Sequence, residues 1–128
     1  MGLVEATKTV LAKYANFSGR ASRSEFWWWT LAYIIIIFIA GVIDSAVIVP
    51  VLGIEAAARV GGLPLFAIAS LALFIPSIAV AVRRLHDQDR SGWWLLIMFV
   101  PIIGYLFLLF FYVRRGTDGE NRFGPSVI

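Results

Sequence analysis

Apolar residues fall into three long runs, at residues 26–49, 63–82 and 93–113, separated by short polar stretches. The first run holds a single charge, Asp44 near its end, and the other two hold none. A hydrocarbon core about 30 Å thick requires about 20 residues of helix at about 1.5 Å per residue, so all three runs predict membrane spans. Lipid offers no hydrogen-bond partners, so the spans should be helical, and the many alternating segments of a barrel are missing. The first run begins too far into the chain, behind polar and basic sequence, to read as a signal peptide, so the N-terminus should be retained.

Boundary residues agree with this division. Ser22 followed by Glu25 has capping-box spacing. Pro64, after Gly61-Gly62, suits a first helical turn. Ser91 or Asp89 can cap the third span and Gly116 can end it. Trp27, Trp28, Trp29, Trp93 and Trp94 stand at span starts, at headgroup level. Pro76 and Pro101 should each bend their helix, and the small pairs Gly41/Ser45 and Ser77/Ala81 suit close helix packing. Ahead of the spans, Leu3, Val10, Leu11, Tyr14 and Phe17 recur at helical spacing, opposite Glu5, Lys8 and Lys13, and predict an amphipathic surface helix over residues 3–17. Residues 44–62 form the loosest connection. The tail, 114–128, carries Gly116, Asp118, Gly119 and Gly124-Pro125 and reads as turns. The expected architecture is an all-α integral membrane protein: one domain over 1–128 with three transmembrane helices and an N-terminal surface helix.

Basic residues set orientation through their cytoplasmic excess. Lys8, Lys13, Arg20 and Arg23 precede the first span, and Arg59 follows it. Arg83, Arg84 and Arg90 separate spans two and three, and Arg114, Arg115 and Arg122 lie in the tail. Three crossings with the N-terminus inside put seven inside and four outside, although Arg114-Arg115 directly after span three opposes that arrangement. In either orientation residues 19–25 and 83–91 share one face. They define a polar cap of Arg20, Arg23, Glu25, Arg83, Arg84, His86, Asp87 and Arg90, with Asp89 beside it. The tail residues Asn121, Arg122 and Phe123, after an odd number of crossings, should lie on the other face.

Arg83 and Arg84 stand four and three residues before Asp87, so an ion-pair network that ends the helix is one reading of the cap. Anion or lipid-headgroup recognition is the other, because every basic residue in it is arginine, whose planar fork fits phosphate oxygens. His86, Asp87 and Ser91 are adjacent in sequence, which does not make a triad, and no catalytic fingerprint occurs. Asp44, close to a membrane interior, should snorkel to the interface, an ion pathway being the alternative.

Composition narrows the classes further. Of 128 residues, 60% are hydrophobic and 15% charged, against roughly 25% charged in a soluble domain. The absence of cysteine excludes disulfides and thiolate chemistry, and one histidine excludes a multi-histidine metal site within a single chain. The net charge of +3 comes from arginines beside the spans, so nucleic acid is not an expected partner.

Phe17-Ser18-Gly19-Arg20, Arg23, Glu25-Phe26-Trp27, Arg83-Arg84-Leu85-His86-Asp87 and Ser91-Gly92-Trp93-Trp94 together resemble the family called domain of unknown function 805. Pro101, Gly104, Gly116-Thr117 and the run from Gly119 through Phe123 to Gly124-Pro125 extend the likeness. Many members have threonine and glycine where this chain has Gln88 and Asp89. The resemblance implies a small bacterial inner-membrane protein and brings no established activity, cofactor or metal with it. The expected function is a non-enzymatic module that meets membrane lipids, anionic ones included, or membrane proteins through a cytoplasmic cap. An oligomeric channel or transporter subunit, its pore lined by residues such as Ser70, Ser77 and Asp44, is the alternative, with further copies of the chain as partners.

Overall fold

The computed structural model describes residues 2–59 and 62–126; Met1, Val60, Gly61, Val127 and Ile128 lie outside the described residues. In order along the chain come α1 (Leu3–Ala12), α2 (Arg23–Ile43), a π-helical segment (Asp44–Ile48), α3 (Val49–Leu52), α4 (Ile54–Ala58), α5 (Pro64–Asp87), a 3-10 helix (Gly92–Phe99) and α6 (Ile103–Val113). Among the described residues there is no strand beyond one isolated bridge between Asn121 and Gly124. Two helical stretches are long and apolar enough to cross a bilayer: Arg23–Leu52, with 30 residues, and Pro64–Asp87, with 24. Phe38, Leu71 and Phe74 stand exposed on them, a surface suited to lipid rather than water.

The chain divides into two compact units, one built from Met1–Trp29 with Pro76–Ile128 and the other from Thr30–Ile75. In the second unit Gly41 lies against the Phe66 ring, 3.9 Å from where a Cβ would stand. Asp44 opens the π-helical segment and is fully buried, which corrects the expectation that it snorkels to the interface. Its two carboxylate oxygens accept from the Leu65 amide (2.9 Å) and the Phe66 amide (2.7 Å) at the start of α5. Pro64 has no N–H to offer, so this carboxylate satisfies two of the open donors of that helix end and also faces its positive pole.

In the first unit α1 ends at Ala12, earlier than the expected 17, because local bonds take over: Asn16 N donates to the Lys13 carbonyl (3.0 Å) and Ser18 N to Asn16 Oδ1 (2.9 Å). Ser22 Oγ caps α2 by accepting from Glu25 N at 3.1 Å. Helix α5 continues through Pro76 and closes in a Schellman turn. In that turn Arg90 N donates to Leu85 O (3.0 Å), Asp89 N donates to His86 O (2.9 Å), and Asp89 takes φ +57°.

The expected third span, 93–113, is not one helix. The chain runs as a 3-10 helix to Phe99 and then reverses at Pro101 and Ile102. Proline forces Val100 out of the helical region, to ψ 108°. Ile103 N then donates to the Pro101 carbonyl (2.7 Å) across Ile102, which sits at φ +65° and ψ −63°, a γ-turn. Gly104 brings α6 back against the carbonyl of Ile97, where any Cβ would overlap it. Leu95 and Ile97 of one arm pack with Leu108, Phe111 and Tyr112 of the other around Leu85. The two arms form a hairpin whose ends meet: Arg90, before the first arm, lies 4.3 Å over the Phe111 ring, and Gln88 Nε2 donates to the Arg114 carbonyl after the second (2.8 Å).

Candidate functional site: a buried arginine clasp

The C-terminal end of α5 is where polar side chains converge. Asp87 is fully buried and is held from two sides. Arg20 Nε donates to its Oδ1 at 2.9 Å, and Arg84 Nη1 to its Oδ2 at 2.6 Å. Arg20 sits in the linker before α2, where the strand-like path beside α5 is fixed by Ala21 N donating to the Arg83 carbonyl (2.9 Å). Its Nη2 also reaches Asp87 Oδ1 (2.8 Å), and its Nη groups donate to carbonyls of the tail: Thr117 (2.6 Å), Gly119 (2.7 Å) and Gly124 (3.2 Å). Arg84 likewise turns Nε to the Tyr112 carbonyl (3.2 Å) and Nη2 to the Arg114 carbonyl. Thr117 N donates to the Asp87 carbonyl at 2.7 Å. Gly116 passes so close to the Asp87 carboxylate that a Cβ there would overlap it, which explains a glycine at that step.

The neighbouring positions complete the clasp. Arg83 pairs with Glu25, joining α5 to α2, while its Nε and Nη2 are buried without a hydrogen-bond partner. His86 donates from Nδ1 to the Gly19 carbonyl (2.9 Å), and its ring stacks on Phe123 at 3.8 Å and 3°. Asn121 Nδ2 donates to the His86 carbonyl (3.0 Å), and Arg122 pairs with Asp89 at 3.2 Å. Trp27 Nε1 donates to the Tyr112 carbonyl (3.2 Å), pinning α2 against α6.

The structure therefore gathers Arg20, Glu25, Arg83, Arg84, His86 and Asp87, and it adds Asn121, Arg122 and Phe123, which were expected on the opposite face. That expectation is corrected by the hairpin, which returns the chain to the end from which it left. Arg23 and Arg90 are not part of the buried cluster: Arg23 is exposed and reaches the Val113 carbonyl at 3.4 Å, and Arg90 lies over Phe111 and Trp94. The acceptors in residues 112–124 escape sequence reasoning because a backbone carbonyl has no residue signature, although the glycines of the tail hint at close approach.

Chemically, Arg20 and Arg84 are committed to Asp87 and to backbone carbonyls and have little left for an outside phosphate. Asp87 orients no histidine, since arginines hold both of its oxygens, and Ser91 Oγ accepts from Trp93 N (3.2 Å) as the cap of the 3-10 helix. Ser77 Oγ accepts from Trp29 Nε1 at 3.2 Å.

Apolar helices long enough to span, joined to a sealed polar end, define an all-helical membrane protein. The chain belongs to the family described as "Protein of unknown function (DUF805)", whose model matches residues 14–125. Inner membrane protein YhaI of Escherichia coli (strain K12) is 47% identical over 117 residues, covering 91% of this chain and 89% of its own length. Inner membrane protein YhaH of the same strain is 44% identical over 117 residues, 91% of each chain. The uncharacterized protein YiiR, also from strain K12, is 29% identical over 136 residues, 87% of this chain and 85% of its own. No solved structure gives a significant match. The match begins at Tyr14 and ends at Pro125, so it contains every residue of the clasp.

Proposed function

We propose that the chain is a non-enzymatic inner-membrane module that crosses the bilayer with α2 and α5, holds its clasp on the cytoplasmic face, and meets acidic lipid headgroups through arginines outside the clasp. Two crossings remove the charge conflict of a three-span topology. Lys8, Lys13, Arg20, Arg23, Arg83, Arg84, Arg90, Arg114, Arg115 and Arg122 then share the cytoplasmic side, and Arg59 alone lies on the other. The observation that supports lipid contact is the set of charges left over. Arg23 reaches the C-terminal turn of α6, where Arg114 and Arg115 follow, and all three are exposed while Arg20 and Arg84 are consumed internally. The Arg115 pair with Asp118, 3.0 Å, is solvent-exposed and offers little competition. Each basic side chain near an anionic surface adds about 1 kcal/mol. Helix α1, with Ala6 and Val10 buried and Val4 and Leu11 exposed, fits a surface helix at the same interface. The channel or transporter reading draws nothing from Asp44 or Ser77, whose polar atoms already have partners.

Native mass spectrometry of the detergent-purified protein, titrated with phosphatidylglycerol and phosphatidylethanolamine, tests the lipid assignment. The triple variant Arg23→Gln, Arg114→Gln, Arg115→Gln should retain several-fold less phosphatidylglycerol, with phosphatidylethanolamine and the melting midpoint unchanged. Undiminished phosphatidylglycerol retention would remove the assignment.

A further inference from the structure

Residues 92–113 pose a physical problem that the clasp does not answer. The reversal at Pro101 carries large, strongly exposed apolar side chains: Phe99 is 75% exposed, Ile102 72% and Leu106 61%. Such a tip is untenable in water. Yet the segment cannot cross a bilayer, because both of its ends are bound into one polar cluster, by Arg90 over Phe111 and by the Arg84 and Gln88 bonds to the Arg114 carbonyl.

We infer that the hairpin is a single-leaflet insertion, immersed among the acyl chains on the side of the clasp and returning without crossing. Three observations select acyl chains as the occupant. First, the arms have the right length: eight residues of 3-10 helix and eleven of α-helix each reach about 16 Å, close to half of a hydrocarbon core of about 30 Å. Second, polarity is graded along the hairpin. Its base carries Arg90, Arg114, Arg115 and the 78%-exposed Trp93, the residue types of a membrane interface, and its tip has no polar side chain from Leu95 to Gly104. Third, part of the irregular backbone is paired within the turn itself, which lowers the cost of an apolar medium. The reversal keeps Ile103 N bonded to Pro101 O, Gly104 N to Val100 O (3.0 Å) and Leu106 N to Ile102 O (3.0 Å), so the turn carries its own hydrogen bonds into an apolar medium. The inference rests on the proposed function only in placing the clasp at a membrane face; it does not depend on which face, or on anionic lipid.

The cysteine-free chain allows a direct test in spheroplasts, inverted vesicles and reconstituted phosphatidylethanolamine–phosphatidylglycerol vesicles. Single-cysteine variants Gln88→Cys and Ser126→Cys should react with an impermeant maleimide from the same side. A dye placed at Phe99→Cys should lose more fluorescence to a spin label deep in the acyl chain than to one at the headgroup, and the order should reverse at Phe110→Cys, near the base. Labelling of Ser126→Cys and Gln88→Cys from opposite sides would mean a third crossing and overturn the inference. Equal depth at both hairpin positions would mean a hairpin lying flat, and no quenching at Phe99→Cys by any labelled lipid would mean that protein covers the tip; either result overturns it. Should the cytoplasmic assignment alone be wrong, the two side reporters still react together, from the outer face.

Discussion

At its N-terminal end α5 offers the amides of Leu65 and Phe66 to Asp44, while at its C-terminal end it offers its own Asp87 to Arg20 and Arg84 and its carbonyls to the tail. Both aspartates are fully buried, and the direction of the helix decides what each one needs. A carboxylate at the N-terminus faces the positive end of the dipole and two open N–H groups, so the helix itself serves as counter-charge. A carboxylate at the last residue faces the negative end and must be neutralised from outside. Two guanidinium groups do this, and they in turn need acceptors, which α6 supplies at Tyr112 and the tail at Arg114, Thr117, Gly119 and Gly124. One end is closed by a single residue and the other by a network that draws in α2, α6 and the tail.

The contrast can be broken most directly at Asp87. Replacing it with asparagine strands Arg20 and Arg84 as buried charges and should cost about 3–5 kcal/mol, the range for halving a buried pair. Denaturant or thermal unfolding in detergent reads this, and a loss of about 1 kcal/mol or less would show that the network is dispensable.

Asp44→Asn strands no cation. It keeps one carbonyl acceptor and turns an amide group toward the second N–H, so a loss of about 1–2 kcal/mol is expected in the same unfolding assay. Losses equal to those of Asp87→Asn would erase the distinction between the two helix ends.

The smallest effect belongs to Asp89, which holds the left-handed position of the Schellman turn at φ +57°. Asp89→Gly relieves a conformational cost of about 1 kcal/mol and gives up an exposed pair with Arg122 of about 0–1 kcal/mol, so the melting midpoint should stay level or rise slightly. A clear fall would mean that the Arg122 contact helps to hold the tail.

Much of the fold was legible because a long apolar helix announces itself by length and hydropathy, and the runs that became α2 and α5 have both. Ser22 as a helix cap and Arg84 opposite Asp87 were readable from local spacing. The third run passed the same length test, yet it folds back, because a length criterion does not see a γ-turn after Pro101. The available warning was electrostatic: Arg114-Arg115 opposed a tail on the outer face. Asp44 was misread for a related reason, since its partners are 21 and 22 residues away and are backbone amides. The tail side of the clasp was hidden likewise, with carbonyls as acceptors and one return of the chain placing them.

Arg20 binds a carbonyl 104 residues further along the chain, and that span has a consequence for biosynthesis. In a nascent chain α2 and α5 are complete while Asp87 still lacks the tail that seals it. Only when the ribosome has passed Gly124 can the guanidinium of Arg20 find all of its acceptors. The polar end therefore closes only after both long helices have been made, and a chain cut short before Thr117 leaves Arg20 and Asp87 unlatched.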